Sequence, residues 1–162
     1  MSASLDLPET KGAHMTARIK TRPSLEMVFE AALGEIGSTL DTINAMLAAQ
    51  NVPESERDDL NIVLTEILTN SVRHGYCSRG GWIACAVTIC DTYIACRVTD
   101  GAQPFDPSFH AAIAPDPSAL AEGGYGWPLI LALAKSMEYH REGEKNLLSF
   151  KIPLSSRTSK VA

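Results

Sequence analysis

Between Leu25 and Ala31 the chain reads LEMVFEA, with Leu25, Met27 and Phe29 alternating against Glu26 and Glu30. A period of two predicts a half-buried strand. From Gly34 the period lengthens, and Ile36, Leu40, Ile43 and Leu47 recur at helical spacing until Gln50. Asn51-Val52-Pro53 then breaks that helix. Leu60, Leu64, Ile67 and Ser71 form the inward stripe of a second helix, which Gly75 is placed to end in a left-handed cap. GWIACAVTIC and TYIACRVTD, joined tightly at Asp91, read as an antiparallel hairpin. Leu129 to Lys135 predicts a third helix, and SMEYHRE with NLLSFKIP predict a closing pair of strands around Gly143.

The order is strand, helix, helix, hairpin, long connection, helix, hairpin. Strands and helices do not alternate as a parallel α/β fold requires, so one mostly antiparallel sheet with helices on one face is the expected α+β architecture. The polar, aperiodic stretch 1–15 reads as a tail, with GAHM before Thr16 resembling a cloning junction and Met15 a native start. Residues 16–155 are expected to form a single domain, and 156–162 a second polar tail.

Composition narrows the function classes. No apolar run approaches the roughly 18 residues of a membrane span, and no signal sequence opens the chain, which points to the cytoplasm. The net charge of -5, with basic residues scattered, argues against nucleic acid as a partner. Cys77, Cys85, Cys90 and Cys96 form no CxxC pair, and the four histidines lack zinc-ligand spacing. Three of these cysteines fall in strand-like apolar runs, where a thiol behaves as a small hydrophobe.

Three stretches carry candidate chemistry. In TEILTNSVRHGY, a spacing of four brings Glu66, Asn70 and His74 within about 80° on one helix, bordering the apolar stripe. An amide oxygen suits Mg²⁺, and a carboxylate one turn earlier suits orienting or deprotonating a hydroxyl. A solvated helix face would carry the same residues, and His74 would equally serve as a C-terminal cap. Asp100-Gly101-Ala102-Gln103-Pro104-Phe105-Asp106-Pro107 follows a strand directly. A buried acid there accepts a hydrogen bond from an exocyclic amino group, although Asp-Gly is also a common turn. Gly123-Gly124-Tyr125-Gly126-Trp127-Pro128 opens a helix, as a phosphate cradle or a flexible hinge would.

Taken in order, these stretches resemble the GHKL (Bergerat-fold) ATPases, and among them the bacterial anti-sigma regulatory factors that are also serine protein kinases. TEILTNSVRHGY is similar to the family's N box, VTDGAQPFDP to its G1 box and GGYGWPLI to its G2 box, and the resemblance spans roughly Leu25 to Pro153. It implies a two-layer α/β sandwich on a mostly antiparallel mixed sheet, with ATP and Mg²⁺ as cofactors. By the same resemblance, Asn70 would hold Mg²⁺ and Glu66 would act as catalytic base or orient the incoming serine. Asp100 would read adenine beside Ala102 and Phe105, and Gly123, Gly124, Tyr125 and Gly126 would wrap the triphosphate, with Arg73 and His74 assisting. The connection Ser108 to Glu122 would form an ATP lid. The implied partners are an anti-anti-sigma (STAS-domain) protein as phosphorylation substrate, a sigma factor or other regulator as client, and a second copy in a homodimer.

Two positions depart from the family pattern. Ala102 stands where the G1 box carries glycine, and Trp127-Pro128 stand where the G2 box continues with leucine. These departures keep a rival class open: a nucleotide-gated binding module that sequesters a regulator without transferring phosphate.

Overall fold

The computed structural model describes residues 22–105 and 126–155. Strand β1 (Ser24–Glu30) leads into helix α1 (Leu33–Ala49) and helix α2 (Glu54–Asn70). A π-helical turn (Ser71–Gly75) continues α2, followed by β2 (Trp82–Ile89) and β3 (Tyr93–Asp100). Helix α3 (Gly126–Leu133), β4 (Lys135–Glu142) and β5 (Lys145–Pro153) complete the described chain. The five strands form one sheet in the order β1-β2-β3-β5-β4, and every pairing is antiparallel.

Alternation along the strands decides which face is covered. Ile83, Cys85, Val87 and Ile89 of β2, Ile94, Cys96 and Val98 of β3, and Leu148, Phe150 and Ile152 of β5 are all buried. They share one core with Ile36, Ile43 and Leu47 of α1, Leu60, Val63, Leu64, Ile67 and Leu68 of α2, and Ile130 of α3. Each large aliphatic side chain so enclosed contributes about 1.5–3 kcal/mol relative to exposure, so the stripes and the alternating strands specify this two-layer sandwich together. Burial also pushes the Cys85 thiol up to about 12 and raises Cys96 well above its ordinary value, as expected of thiols used as core hydrophobes.

The helices begin and end for local reasons. Asn51 adopts a left-handed φ of 56°, and the Val52 amide donates to the Leu47 carbonyl at 3.0 Å, closing α1. Pro53 precedes the first turn of α2, where Glu54 and Glu56 favour the positive end of the helix dipole. The expected left-handed cap at Gly75 is corrected: Gly75 belongs to the π-helical turn, and the left-handed residues are Cys77 and Ser78, with φ of 51° and 56°. The Tyr76 amide donates to the Ser71 carbonyl at 2.8 Å, an i→i−5 bond that widens the last turn. The third helix opens at Gly126 and ends at Leu133, earlier than predicted at both ends, and Lys135 already belongs to β4.

The tails 1–15 and 156–162 and the expected lid, Ser108 to Glu122, lie outside the described residues. Among the described residues, no helix is long and apolar enough to cross a membrane.

Candidate nucleotide site

The layers part at one end of the sheet, between α2, its π-helical turn, the start of α3 and the ends of β3 and β5. The cavity there measures about 380 Å³, and Glu66, Asn70, Arg73, His74, Asp100, Ala102, Phe105 and Gly126 all line it. The candidate residues from all three stretches therefore meet at one place, wherever they fall within the described chain. Gly123, Gly124 and Tyr125 lie outside the described residues. Trp127 and Pro128, the departures in the glycine-rich stretch, stand in the cavity wall as well.

The floor is built around Asp100, the last residue of β3, which is 6% exposed. Strand register sets it directly opposite Asn146 of β5, itself 3% exposed. The Asn146 amide nitrogen donates to Asp100 Oδ1 at 2.7 Å, and the Ala102 backbone N–H donates to the same oxygen at 3.0 Å. Ser71, in the π-helical turn, donates from its hydroxyl to Asp100 Oδ2 at 2.7 Å. A carboxylate buried this deeply needs such donors, since an unmade bond leaves a desolvation cost of about 1–3 kcal/mol.

The turn after Asp100 is held from both sides. On one side Tyr76 donates its hydroxyl to the Trp82 carbonyl at 2.6 Å and accepts the Gly101 N–H at 2.7 Å, while the Gln103 N–H reaches the Gly75 carbonyl at 3.2 Å. On the other side Arg141 donates to the Ala102 carbonyl at 2.9 Å. An aromatic wall continues the turn, with the Phe105 ring 4.5 Å from Tyr139 and 5.7 Å from Trp127 between centroids.

Across the cavity Glu66 and Asn70 face inward from successive turns of α2. Gly126 opens α3 directly against the Glu66 side chain: a Cβ there would lie 3.3 Å from Glu66 Cδ and nearer still to Oε2. Arg73 and His74 are exposed on the π-helical turn, yet both border the cavity. Among the described residues no group of three His, Cys, Asp or Glu side chains converges into a protein-made metal cage. One amide and one carboxylate at the border of an open cavity do fit Mg²⁺, which keeps most of its shell for water and phosphate oxygens.

Asn146, Ser71, Tyr139 and Arg141 were not among the residues singled out by sequence. Asn146 had a visible signal: it is a polar amide on the inward phase of a strand whose other inward positions are Leu148, Phe150 and Ile152. Ser71 had a similar one, as the sole hydroxyl on the stripe Leu60, Leu64, Ile67. Tyr139 and Arg141 carried none, since aromatic and basic residues are ordinary on an edge strand.

A two-layer sandwich whose cavity joins an Asn- and Glu-bearing helix, a buried acid at a strand end and a glycine-opened helix defines a class of nucleotide-binding domain. The family described as histidine kinase-like ATPase domain matches residues 29–152, and the chain belongs to that family. No curated protein matches the chain. Among solved structures, the crystal structure of the RsbU and RsbW domains of Rv1364c from Mycobacterium tuberculosis is similar in fold, with a TM-score of 0.59 at 17% identity. The likeness covers 83% of this chain and 34% of that one, so this chain spans about a third of its length.

Proposed function

We propose that the chain is an ATP- and Mg²⁺-dependent serine protein kinase of the anti-sigma type. It phosphorylates a serine of an anti-anti-sigma (STAS-type) partner and releases or grips a sigma factor or other regulator according to its nucleotide state. The observation that carries this reading is the convergence of Glu66, Asn70 and Asp100 on one cavity within a histidine kinase-like ATPase domain. The fold likeness to a chain containing an RsbW domain supports the anti-sigma branch.

In this reading each residue has a defined task. Asp100 accepts the exocyclic amino group of adenine, and Phe105 and Ala102 bound the base. Asn70 offers its amide oxygen to Mg²⁺, which when bound neutralises charge on the phosphates. Glu66 takes the proton from the incoming serine hydroxyl as that oxygen bonds to the γ-phosphorus and the bond to the ADP oxygen breaks. Positioning and charge neutralisation supply most of the barrier reduction in phosphoryl transfer, so a domain this small suffices. The phosphoserine then carries roughly two negative charges, which weakens an interface formed with the neutral hydroxyl.

The test is incubation with ATP, Mg²⁺ and the STAS-type protein, reading phosphoserine by mass spectrometry. Phosphoserine with the wild type and none with Glu66→Ala is expected. A tight ATP-dependent complex with no transfer would overturn the kinase and leave a sequestering module.

A further inference from the structure

Asp100 is not aimed by its own strand alone. Its partner Asn146 is held in turn: Asn146 Oδ1 accepts the Tyr139 hydroxyl at 2.7 Å and Arg141 Nη1 at 2.6 Å. The Asn146 nitrogen meanwhile donates to Asp100 Oδ1 at 2.7 Å, to the Gln103 carbonyl at 3.0 Å and to the Ala102 carbonyl at 3.2 Å. These neighbours fix the amide's orientation, because a flip would turn its oxygen onto three acceptors and its nitrogen onto two donors.

From this arrangement we infer that Asn146, locked by Tyr139 and Arg141, is the positioning residue that makes Asp100 selective for an amino-bearing purine. The inference rests on the ATP reading above and adds a mechanism to it. An ionised carboxylate has about four acceptor sites, two on each oxygen. Asn146 and the Ala102 N–H occupy both sites on Oδ1, and Ser71 occupies one on Oδ2. One site on Oδ2 is left for the cavity, and it can only accept. A 6-amino group satisfies it, whereas a 6-oxo group sets lone pair against lone pair.

Without Asn146 the carboxylate keeps one donor on each oxygen, Ser71 on Oδ2 and the Ala102 N–H on Oδ1, but a second acceptor site opens on Oδ1 and the free acceptors no longer share one direction. Tyr139 and Arg141 stand one step further back: both donate to the Asn146 amide oxygen, and Arg141 also donates to the Ala102 carbonyl on the turn. Arg141 is exposed, so removing its head group leaves the core intact.

The experiment compares dissociation constants for ATP and inosine triphosphate, with Mg²⁺, in the wild type, Asn146→Leu and Arg141→Met. The ratio of the two constants is the readout, because a change in folded fraction moves both equally and cancels. The wild type is expected to prefer ATP by at least about tenfold, since a buried polar site rejects a mismatched group strongly. Asn146→Leu brings the ratio to within about threefold of unity, and Arg141→Met gives an intermediate value. A wild type that binds neither nucleotide overturns the ATP reading and this inference with it. A wild type that prefers ATP, with the preference unchanged in both variants, overturns this inference alone and leaves the ATP reading standing.

Discussion

The α-carbon of Gly75 faces the methyl group of Ala102 so closely that a Cβ on residue 75 would stand 2.8 Å from it. The missing side chain at Gly75 makes the room for the Ala102 methyl. Ala102 is 5% exposed and stands on a turn anchored at both ends, so neither partner can retreat. Gly75→Ala is therefore expected to destabilise the fold by about 1–3 kcal/mol, the usual cost of overpacking. Ala102→Gly should cost less, and the Gly75→Ala/Ala102→Gly double variant should recover part of the loss. Urea unfolding of the four proteins gives the coupling directly. Additive single effects would show that the two positions do not share this space.

Gly126 and Glu66 stand in a similar relation, with a different expected outcome. A Cβ at residue 126 would displace the far end of a flexible carboxylate, which can swing aside cheaply. Gly126→Ala should accordingly change unfolding free energy by less than about 1 kcal/mol, while moving the proposed base from its place. Transfer to the STAS-type partner should fall by about 10- to 100-fold in kcat, with ATP affinity changed far less, because misplacing a base by an ångström costs on that scale. Equal loss of affinity and turnover would instead assign Gly126 to phosphate binding.

Much of the sandwich was legible because periodicity reports burial. The hairpin Trp82–Ile89 with Tyr93–Asp100 and the stripe Leu60, Leu64, Ile67 appear where the alternation and the spacing of four put them. The spacing of four also brought Glu66 and Asn70 to one cavity. It could not foresee the π-helical turn, since one extra residue per turn leaves no mark on composition, and Gly75 looks the same as a cap or as a contact surface. The hidden half of the site is Asn146 and its holders, which act through cross-strand register. Asp100 and Asn146 stand 46 positions apart in the sequence, and their pairing depends on which strands meet, so no local pattern encodes it.

Glu56 predicts how the fold responds to acid. It is buried in the first turn of α2, and Ser55 donates to its Oε2 at 2.6 Å while the Ser155 N–H donates to Oε1 at 3.0 Å. The Ser155 hydroxyl also donates to Oε1. These donors, Ser155 first, lower its pKa from the ordinary 4.5 to about 2. A folded pKa below the unfolded one gives stability that is fully present above about 4.5 and lost as pH falls through about 2. Glu56→Gln should thus be less stable than wild type at neutral pH by on the order of 1 kcal/mol, solvent near the helix end screening the larger figure the shift alone implies. Urea midpoints measured between pH 7 and pH 2 should converge as the pH falls. A constant gap would show that the Glu56 contacts do not depend on its charge.

Asn70 offers a test of the metal that does not need turnover. Asn70 borders the cavity one turn beyond Glu66, and among the described residues no side-chain hydrogen bond engages its amide. An amide left free toward a cavity that also holds a carboxylate is suited to a cation whose other ligands come from phosphate and water. In the wild type, ATP affinity measured by calorimetry should rise with Mg²⁺ concentration. Asn70→Ala keeps Asp100 and its donors, so base recognition survives, but the variant loses one metal ligand. Its Mg²⁺-dependent gain in ATP affinity should shrink by about tenfold, equivalent to 1.4 kcal/mol, while affinity measured in excess chelator stays within about twofold of wild type. Loss of affinity in chelator as well would place Asn70 on the nucleotide itself, and an unchanged Mg²⁺ response would remove it from the metal site.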